Sequence, residues 1–327
     1  SSPGADAQSG TDFEVRQPVD SVSVTLGQNL TLTCTVSGLL PLGPVQWLKG
    51  SGSNSQTVYD QRNPSPRILR AVNGSNTDFT ILIPDVGLGD AGTYYCVKFK
   101  KSNGRNEELR RGGGTNVSVQ AMPSKPVVSG PSQRAVPGQS VLFTCRAGGF
   151  LPRSIEVTWL KNNHPVNALQ TNITSGPSDS PSNMSSTVNV TLSKDDVLSE
   201  LTCKVKHETL QDPLMETYRL GQVLQVPPEV SVDAKPQNSV EANKTVRFTC
   251  SVQDFYPGNV SITWLENETR MNVTSIPQPT KTHKGLFQLT STVTVQAVEE
   301  KNGFNFTCRV VHEAQEPIYR TATLQVT

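Results

Sequence analysis

Six cysteines, four histidines and a series of Asn-x-Ser/Thr triplets are the groups in this 327-residue chain with the most chemistry to offer. Thiols ligate metals, act as nucleophiles or join as disulfides; imidazoles move protons; sequon asparagines accept sugar. Spacing decides among these. Cys34, Cys96, Cys145, Cys203, Cys250 and Cys308 form successive pairs 62, 58 and 58 positions apart. No two lie close in sequence, as clustered metal-binding thiols would. His207 and His312 recur at the same place in a repeat and read as framework, and no serine or free thiol is placed as a nucleophile. Catalysis is therefore nearly excluded, and neither metal nor cofactor is expected.

Each cysteine pair brackets one tryptophan. Trp47 lies 13 positions after Cys34, and Trp159 and Trp264 each lie 14 after Cys145 and Cys250. That is the spacing of the immunoglobulin sandwich, where two strands are bridged across the core and a tryptophan packs on the bridge. Six cysteines admit many pairings, but the threefold repeat selects 34–96, 145–203 and 250–308. Bridges over such loops stabilise each domain by about 4 kcal/mol on the chain-entropy model and imply an oxidising, extracellular setting.

The elements that must carry these residues are strands. Leu30, Leu32, Cys34 and Val36 alternate with Thr31, Thr33 and Thr35; Phe79, Ile81 and Ile83, then Val188, Val190 and Leu192, then Val260, Ile262 and Trp264 repeat the period of two. No window has a convincing helical period. Proline clusters at 121–126 and 225–229 mark linkers. The expected architecture is all-β: a disordered leader over 1–12, a variable-type immunoglobulin domain over 13–121, and constant-type domains over 122–226 and 227–327. Prolines in both linkers predict a semi-rigid rod.

Composition narrows the partners. With 35 % hydrophobic and 17 % charged residues the chain forms cores, and its net charge of +1 provides no basic field for nucleic acid or a membrane surface. No stretch approaches the roughly 18 apolar residues of a membrane span, and the first residues lack the regions of a signal peptide. The chain reads as a mature or excised segment, anchored in a membrane only through sequence outside it.

Domain 1 has its own signature. Asp90-Ala91-Gly92-Thr93-Tyr94-Tyr95-Cys96 places a tyrosine two positions before the second cysteine, where a tyrosine corner belongs, and Thr57-Val58-Tyr59 supplies an extra strand. Arg67 is positioned to meet Asp90 in a salt bridge. Asn103-Gly104, between Phe99 and Leu109, is a strong hairpin-turn signal because both positions accept positive φ. Domains 2 and 3 instead carry Phe150-Leu151-Pro152 and Phe255-Tyr256-Pro257 ahead of the tryptophan, and Cys203-Lys204-Val205-Lys206-His207 and Cys308-Arg309-Val310-Val311-His312 after the second cysteine. Both resemble constant-type domains of antibodies and histocompatibility proteins.

Eleven sequons occur, at Asn29, Asn73, Asn116, Asn172, Asn183, Asn189, Asn243, Asn259, Asn267, Asn272 and Asn305. Asn29, Asn116, Asn189, Asn259 and Asn305 fall in the outward phase of their strands, so sugar there need not be buried. A heavily glycosylated surface is expected. The end loops of domain 1, at 37–44, 60–66 and 100–108, have no sequon and would stay bare.

One variable-type domain followed by two constant-type domains, with Leu40-Pro41-Leu42-Gly43-Pro44-Val45-Gln46-Trp47, Ala91-Gly92-Thr93-Tyr94-Tyr95-Cys96-Val97-Lys98-Phe99 and Pro126-Val127-Val128-Ser129-Gly130-Pro131, closely resembles the signal-regulatory proteins of myeloid cells over residues 13–327. The resemblance implies the ectodomain of a plasma-membrane receptor whose alpha member binds integrin-associated protein on other cells and signals to tyrosine phosphatases. Beta members pair with an activating adaptor, and a non-signalling adhesion module is a further alternative. It also implies contacts through Leu39, Leu40, Leu42 and Gln46 around the first end loop, with Leu40 equally placed to cap the core. Gln61 and Arg62 belong to a second loop; Lys98, Lys100, Lys101, Ser102, Asn103, Gly104, Arg105 and Glu108 belong to a third. Exposed leucines suit a small apolar contact. Two departures stand out: the segment between Arg67 and Asp78 is shorter than in mammalian members and carries the Asn73 sequon, and Arg105 stands where ligand-binding members carry acidic residues.

Overall fold

A computed structural model describes residues 13–38, 41–177, 180–273 and 277–327. The leader expected over 1–12, and Leu39 and Leu40, lie outside the described residues. The chain is all-β, in three successive sandwiches. In the first, the main sheet runs Ser21–Thr25, Thr115–Gln120, Gly92–Ser102, Val45–Lys49, Gln56–Asp60, and Arg105–Arg111 adds to Gly92–Ser102. Thr115–Gln120 pairs parallel to Ser21–Thr25. The facing sheet holds Leu30–Leu32, Ile81–Ile83 and Leu69–Arg70, and Glu14–Arg16 pairs with Thr35–Ser37.

The second and third sandwiches share one plan of four strands on four. In the second, Val127–Ser129, Ser140–Phe150, Ser182–Thr191 and Gln170–Ser175 face His164–Val166, Glu156–Lys161, Glu200–Lys206 and Leu214–Arg219. In the third, Glu229–Lys235, Thr245–Phe255, Phe287–Gln296 and Thr280–Lys281 face Thr269–Arg270, Val260–Glu266, Asn305–His312 and Ile318–Thr323. Among the described residues, no helix is long and apolar enough to cross a membrane.

Alternation sends one face of each strand inward, and the cores follow. Disulfides join Cys34 to Cys96, Cys145 to Cys203 and Cys250 to Cys308. Each fully buried tryptophan satisfies its indole N–H: Trp47 donates to the Phe79 carbonyl at 2.8 Å, Trp159 to Ser186 Oγ at 2.9 Å and Trp264 to Ser291 Oγ at 3.0 Å. A buried indole left without an acceptor would be costly, which accounts for two serines inside otherwise apolar cores. His207 and His312 do matching structural work. Their Nε2–H groups donate to the carbonyls of Pro152 and Pro257 at 2.8 and 2.7 Å, with Phe150 and Phe255 edge-on to the rings.

The two junctions between sandwiches are built differently. At the first, Ala121 and Leu151 exchange backbone hydrogen bonds of 2.9 and 3.0 Å, and Gln120 Nε2 donates to Glu208 at 3.1 Å. At the second, Val226 and Tyr256 exchange equivalent bonds. Leu286 of the third sandwich is buried within the core of the second. Arg134 donates to the carbonyls of Gly221 and Leu224 at 2.8 and 2.9 Å and lies 5.8 Å from the centre of the Tyr256 ring. The second junction is thus a continuation of a core, and the first is not.

Candidate functional site

The loop before Trp47 and the hairpin after Cys96 meet at one end of the first sandwich because the backbone stitches them together. Phe99 N–H donates to the Pro44 carbonyl at 2.9 Å, and Lys101 N–H to the Leu42 carbonyl at 3.3 Å. The strand Gly92–Ser102 thereby gains a partner beyond the end of Val45–Lys49. Gly43 is what allows so close an approach. Its φ is +154°, and a Cβ there would fall 2.1 Å from the Phe99 carbonyl oxygen. With the loop held by its main chain, the Leu42 side chain is left 76 % exposed. Apolar surface displayed this openly on an ordered loop suits a protein contact.

Lys98 sits beneath this loop. It is only 6 % exposed; its ammonium donates to the Gly43 carbonyl at 2.5 Å and lies 5.0 Å from the centre of the Phe13 ring. Burial pushes its pKa down from the ordinary lysine value. A cation so placed holds the loop to the strand.

The second loop is fixed by Gln61, whose N–H donates to the Val45 carbonyl and whose Oε1 accepts from Val45 N–H, both at 3.1 Å. Gln46 Nε2 donates to Asp60 Oδ2 at 3.0 Å, and Arg62 N–H donates to Asp60 Oδ1 at 2.9 Å with the arginine side chain exposed. In the third segment, Asn103 and Gly104 have φ of +54° and +76°, closing the hairpin with Arg105 opposite Ser102 and Glu107 opposite Lys100. Lys101, Asn103, Gly104, Arg105 and Glu108 are exposed; Lys100 and Ser102 are half-buried. Glu108 is held by Arg111 in a bidentate pair with bonds of 2.7 and 3.0 Å, and that guanidinium lies 5.0 Å from the centre of the Tyr95 ring.

The structure thus brings Leu42, Lys98, Lys100 and Lys101 to one end, with Ser102, Asn103, Gly104 and Arg105 at the hairpin tip. Gln46, Gln61 and Arg62 lie on the adjoining strand pair Val45–Lys49 and Gln56–Asp60 and its turn. Asn73 is exposed in a turn tied by Arg70, which donates to the carbonyls of Ser75 and Asp78 at 2.6 and 2.5 Å. Because Val36 N–H donates to the Thr77 carbonyl at 2.7 Å, this turn runs beside the start of the first loop. All eleven sequon asparagines are exposed.

The frame under the site includes parts that spacing alone did not single out. Buried Gln17 donates to the Tyr94 carbonyl at 3.0 Å and accepts from the N–H groups of Cys96 and Gly114, each at 3.1 Å. A glutamine just ahead of Pro18 is the faint sequence signal for it. At the opposite end, Tyr94 donates to the Asp90 carbonyl at 2.6 Å, and burial raises its pKa to about 12. Arg67 grips Asp90 through bonds of 2.9 and 3.3 Å, which lowers the carboxylate's pKa. Among the described residues, no three His, Cys, Asp or Glu side chains gather to hold a metal.

Comparison with known proteins matches the domain organisation. The immunoglobulin V-set domain family matches residues 17–120, and the immunoglobulin C1-set domain family matches 127–210 and 230–315. The chain is 38 % identical over 321 residues to tyrosine-protein phosphatase non-receptor type substrate 1 of Bos taurus, covering 96 % of this chain and 63 % of that protein. It is 36 % identical over 320 residues to signal-regulatory protein beta-1 of Homo sapiens, covering 96 % of this chain and 80 % of that protein. The first of these names describes a protein acted upon by a phosphatase; the chain is not an enzyme. The crystal structure of the full ectodomain of mouse nectin-like molecule 4, with three immunoglobulin domains, superposes with a TM-score of 0.64 at 18 % identity, covering 94 % of this chain and 97 % of that one.

Proposed function

The chain belongs to the signal-regulatory protein family of immunoglobulin-domain receptors, and from that premise we propose that it is the extracellular part of a leukocyte or myeloid receptor at the plasma membrane. It binds a protein on another cell, of the integrin-associated protein kind, through the end loops of domain 1, and so regulates phagocytosis and immune signalling. The observation that supports this most is the loop–hairpin tip. Leu42 is held 76 % exposed by a main chain bonded to Gly92–Ser102, with Lys101 and Arg105 displayed beside it. An apolar centre rimmed by charge is the ordinary composition of a protein contact, and loops at this end of a variable-type domain are where such domains bind. The tip is also free of sequons, while domain 3 alone carries five. Lys98 contributes by positioning the loop from below.

Arg105 and the Asn73 sequon favour a second reading, in which an activating or adhesive member uses the same face for a more acidic ligand. Surface plasmon resonance against the immobilised integrin-associated protein ectodomain tests both. Residues 13–121, which hold their own core and disulfide, should bind within about twofold of the full ectodomain. Loss of binding on removing domains 2 and 3 would overturn the placement of the site, and micromolar binding by neither form would overturn the ligand.

A further inference from the structure

The second domain carries the sequons Asn172, Asn183 and Asn189, and strand register puts all three on one face. Opposed residues in antiparallel strands share a face. Val127, Arg146, Ser185 and Asn172 form one cross-strand row; Gly148, Asn183 and Thr174 form a second; Leu142 and Asn189 lie in a third. This face points away from the core, since the alternate residues Phe143, Cys145, Ala147, Met184, Ser186 and Val188 are buried. Two apolar side chains nevertheless stand open on it, Val127 at 64 % and Leu142 at 53 % exposure. A groove of about 540 Å³ runs across the first two rows, with Val127, Arg146, Gly148, Asn172 and Asn183 among its walls. That volume falls within the range of sites holding a small organic ligand.

Asn183 is built to direct a substituent along this groove. It lies on the inner strand Ser182–Thr191, between Ser140–Phe150 and Gln170–Ser175, so sugar attached there starts over the sheet. Asn172 is on the edge strand. A Cβ on Gly148 would fall 2.2 Å from Asn183 Oδ1, so the missing side chain is what lets the asparagine lie across the neighbouring strand. Gly149 N–H donates to that oxygen at 3.3 Å. The carbonyl oxygen of the amide is engaged, and the nitrogen is the atom that carries N-linked sugar.

We propose that the N-linked glycan on Asn183 folds back into this groove and covers Val127. N-acetylglucosamine is amphipathic, with C–H faces and an acetamide methyl suited to Val127, and hydroxyls suited to the rim of Ser124, Lys125, Arg146 and Thr174. The covalent tether supplies a high effective concentration, so even weak contacts hold the sugar in place. The apolar patch on this sheet is then an internal surface of the glycoprotein, whichever ligand domain 1 binds.

Covalent footprinting of the full ectodomain, secreted from mammalian cells and with sugar on Asn183 established by peptide mass, tests this. Ser185→Ala abolishes the sequon and leaves Asn183 in place. Labelling of Val127 should be at least threefold lower in the glycosylated wild type than in this variant, while Met215, 54 % exposed on the opposite sheet, labels equally in both. Gly148→Ala keeps the sequon but displaces the asparagine; it should retain the sugar mass and lose the protection. Equal labelling of Val127 in wild type and Ser185→Ala would overturn the proposal and leave the patch open to another molecule. An Asn183 that carries no sugar would overturn it as well.

Discussion

Replacing Gly43 by alanine tests how the tip of domain 1 is held. The methyl group would sit 2.1 Å from the Phe99 carbonyl oxygen and 2.9 Å from Lys100 Cα, both backbone atoms, so the loop must lift off the strand. Lifting breaks the bonds from Phe99 N–H to Pro44 and from Lys101 N–H to Leu42, together with the ammonium bond from Lys98 to Gly43. Two backbone bonds at about 1 kcal/mol each and one charge-assisted bond at about 1.5 kcal/mol sum to roughly 3–4 kcal/mol. At 1.4 kcal/mol for each factor of ten, amide exchange at Phe99 and Lys101 should accelerate by roughly 10²- to 10³-fold. The disulfide and Trp47 lie below the loop and should stay protected, so the rest of the domain remains folded. Hydrogen–deuterium exchange on peptides spanning 97–102 reads this directly, and ligand binding should fall with it. A folded Gly43→Ala domain whose exchange at these two amides matches wild type would refute the reasoning, because the loop would then be held by something other than these three bonds.

Other changes have equally definite outcomes. The lowered pKa of Asp90, set first by its hydrogen bond from Arg67, means that the pair's contribution is present above the ordinary carboxylate value near 3.8 and is lost as pH falls through the folded value. With Arg67 half-exposed, that contribution is no more than about 1 kcal/mol. Urea melts should therefore show wild type above Arg67→Ala at pH 7 and the gap closed near pH 2; a gap that persists in acid would contradict the linkage. Leu286→Ala, at a residue 2 % exposed inside the second domain's core, should cost about 2–4 kcal/mol and split the unfolding of domains 2 and 3 into separate calorimetric transitions. An unsplit transition within 1 kcal/mol of wild type would show that the junction is not a shared core. Arg105→Glu at the exposed hairpin tip should change the ligand association rate roughly three- to tenfold at low salt, with the difference vanishing as salt screens it. No change at any ionic strength would remove the tip from the contact.

Most of the frame was legible because it repeats. Three cysteine pairs with a tryptophan inside each can hardly arise except from three copies of one sandwich, and Asn103-Gly104 announced its turn because Asn and Gly take positive φ more readily than other residues. Lys98 was not legible in the same way. Counted by type it reads as a surface charge, and only the path of the main chain at Gly43 and Pro44, a tertiary fact, turns it under the loop. Leu286 and Gly148 were invisible for a related reason. Their meaning depends on what a neighbouring domain or strand places against them, and alternation along a single strand reports which side is inward without saying what waits there.

The unlike junctions give the molecule an uneven mechanical compliance. If the proposed function holds and the tip grips a protein on an opposing cell, the chain is pulled from both ends. Between domains 1 and 2 that tension meets two backbone bonds and one side-chain bond at Ala121, Leu151 and Gln120. Between domains 2 and 3 it must also extract Leu286 from a core and part the Tyr256 ring from the Arg134 guanidinium. The first joint yields earlier. Domains 2 and 3 would then respond as one stiff unit, and under the proposed function load would reorient domain 1 at its joint before it parts domain 2 from domain 3.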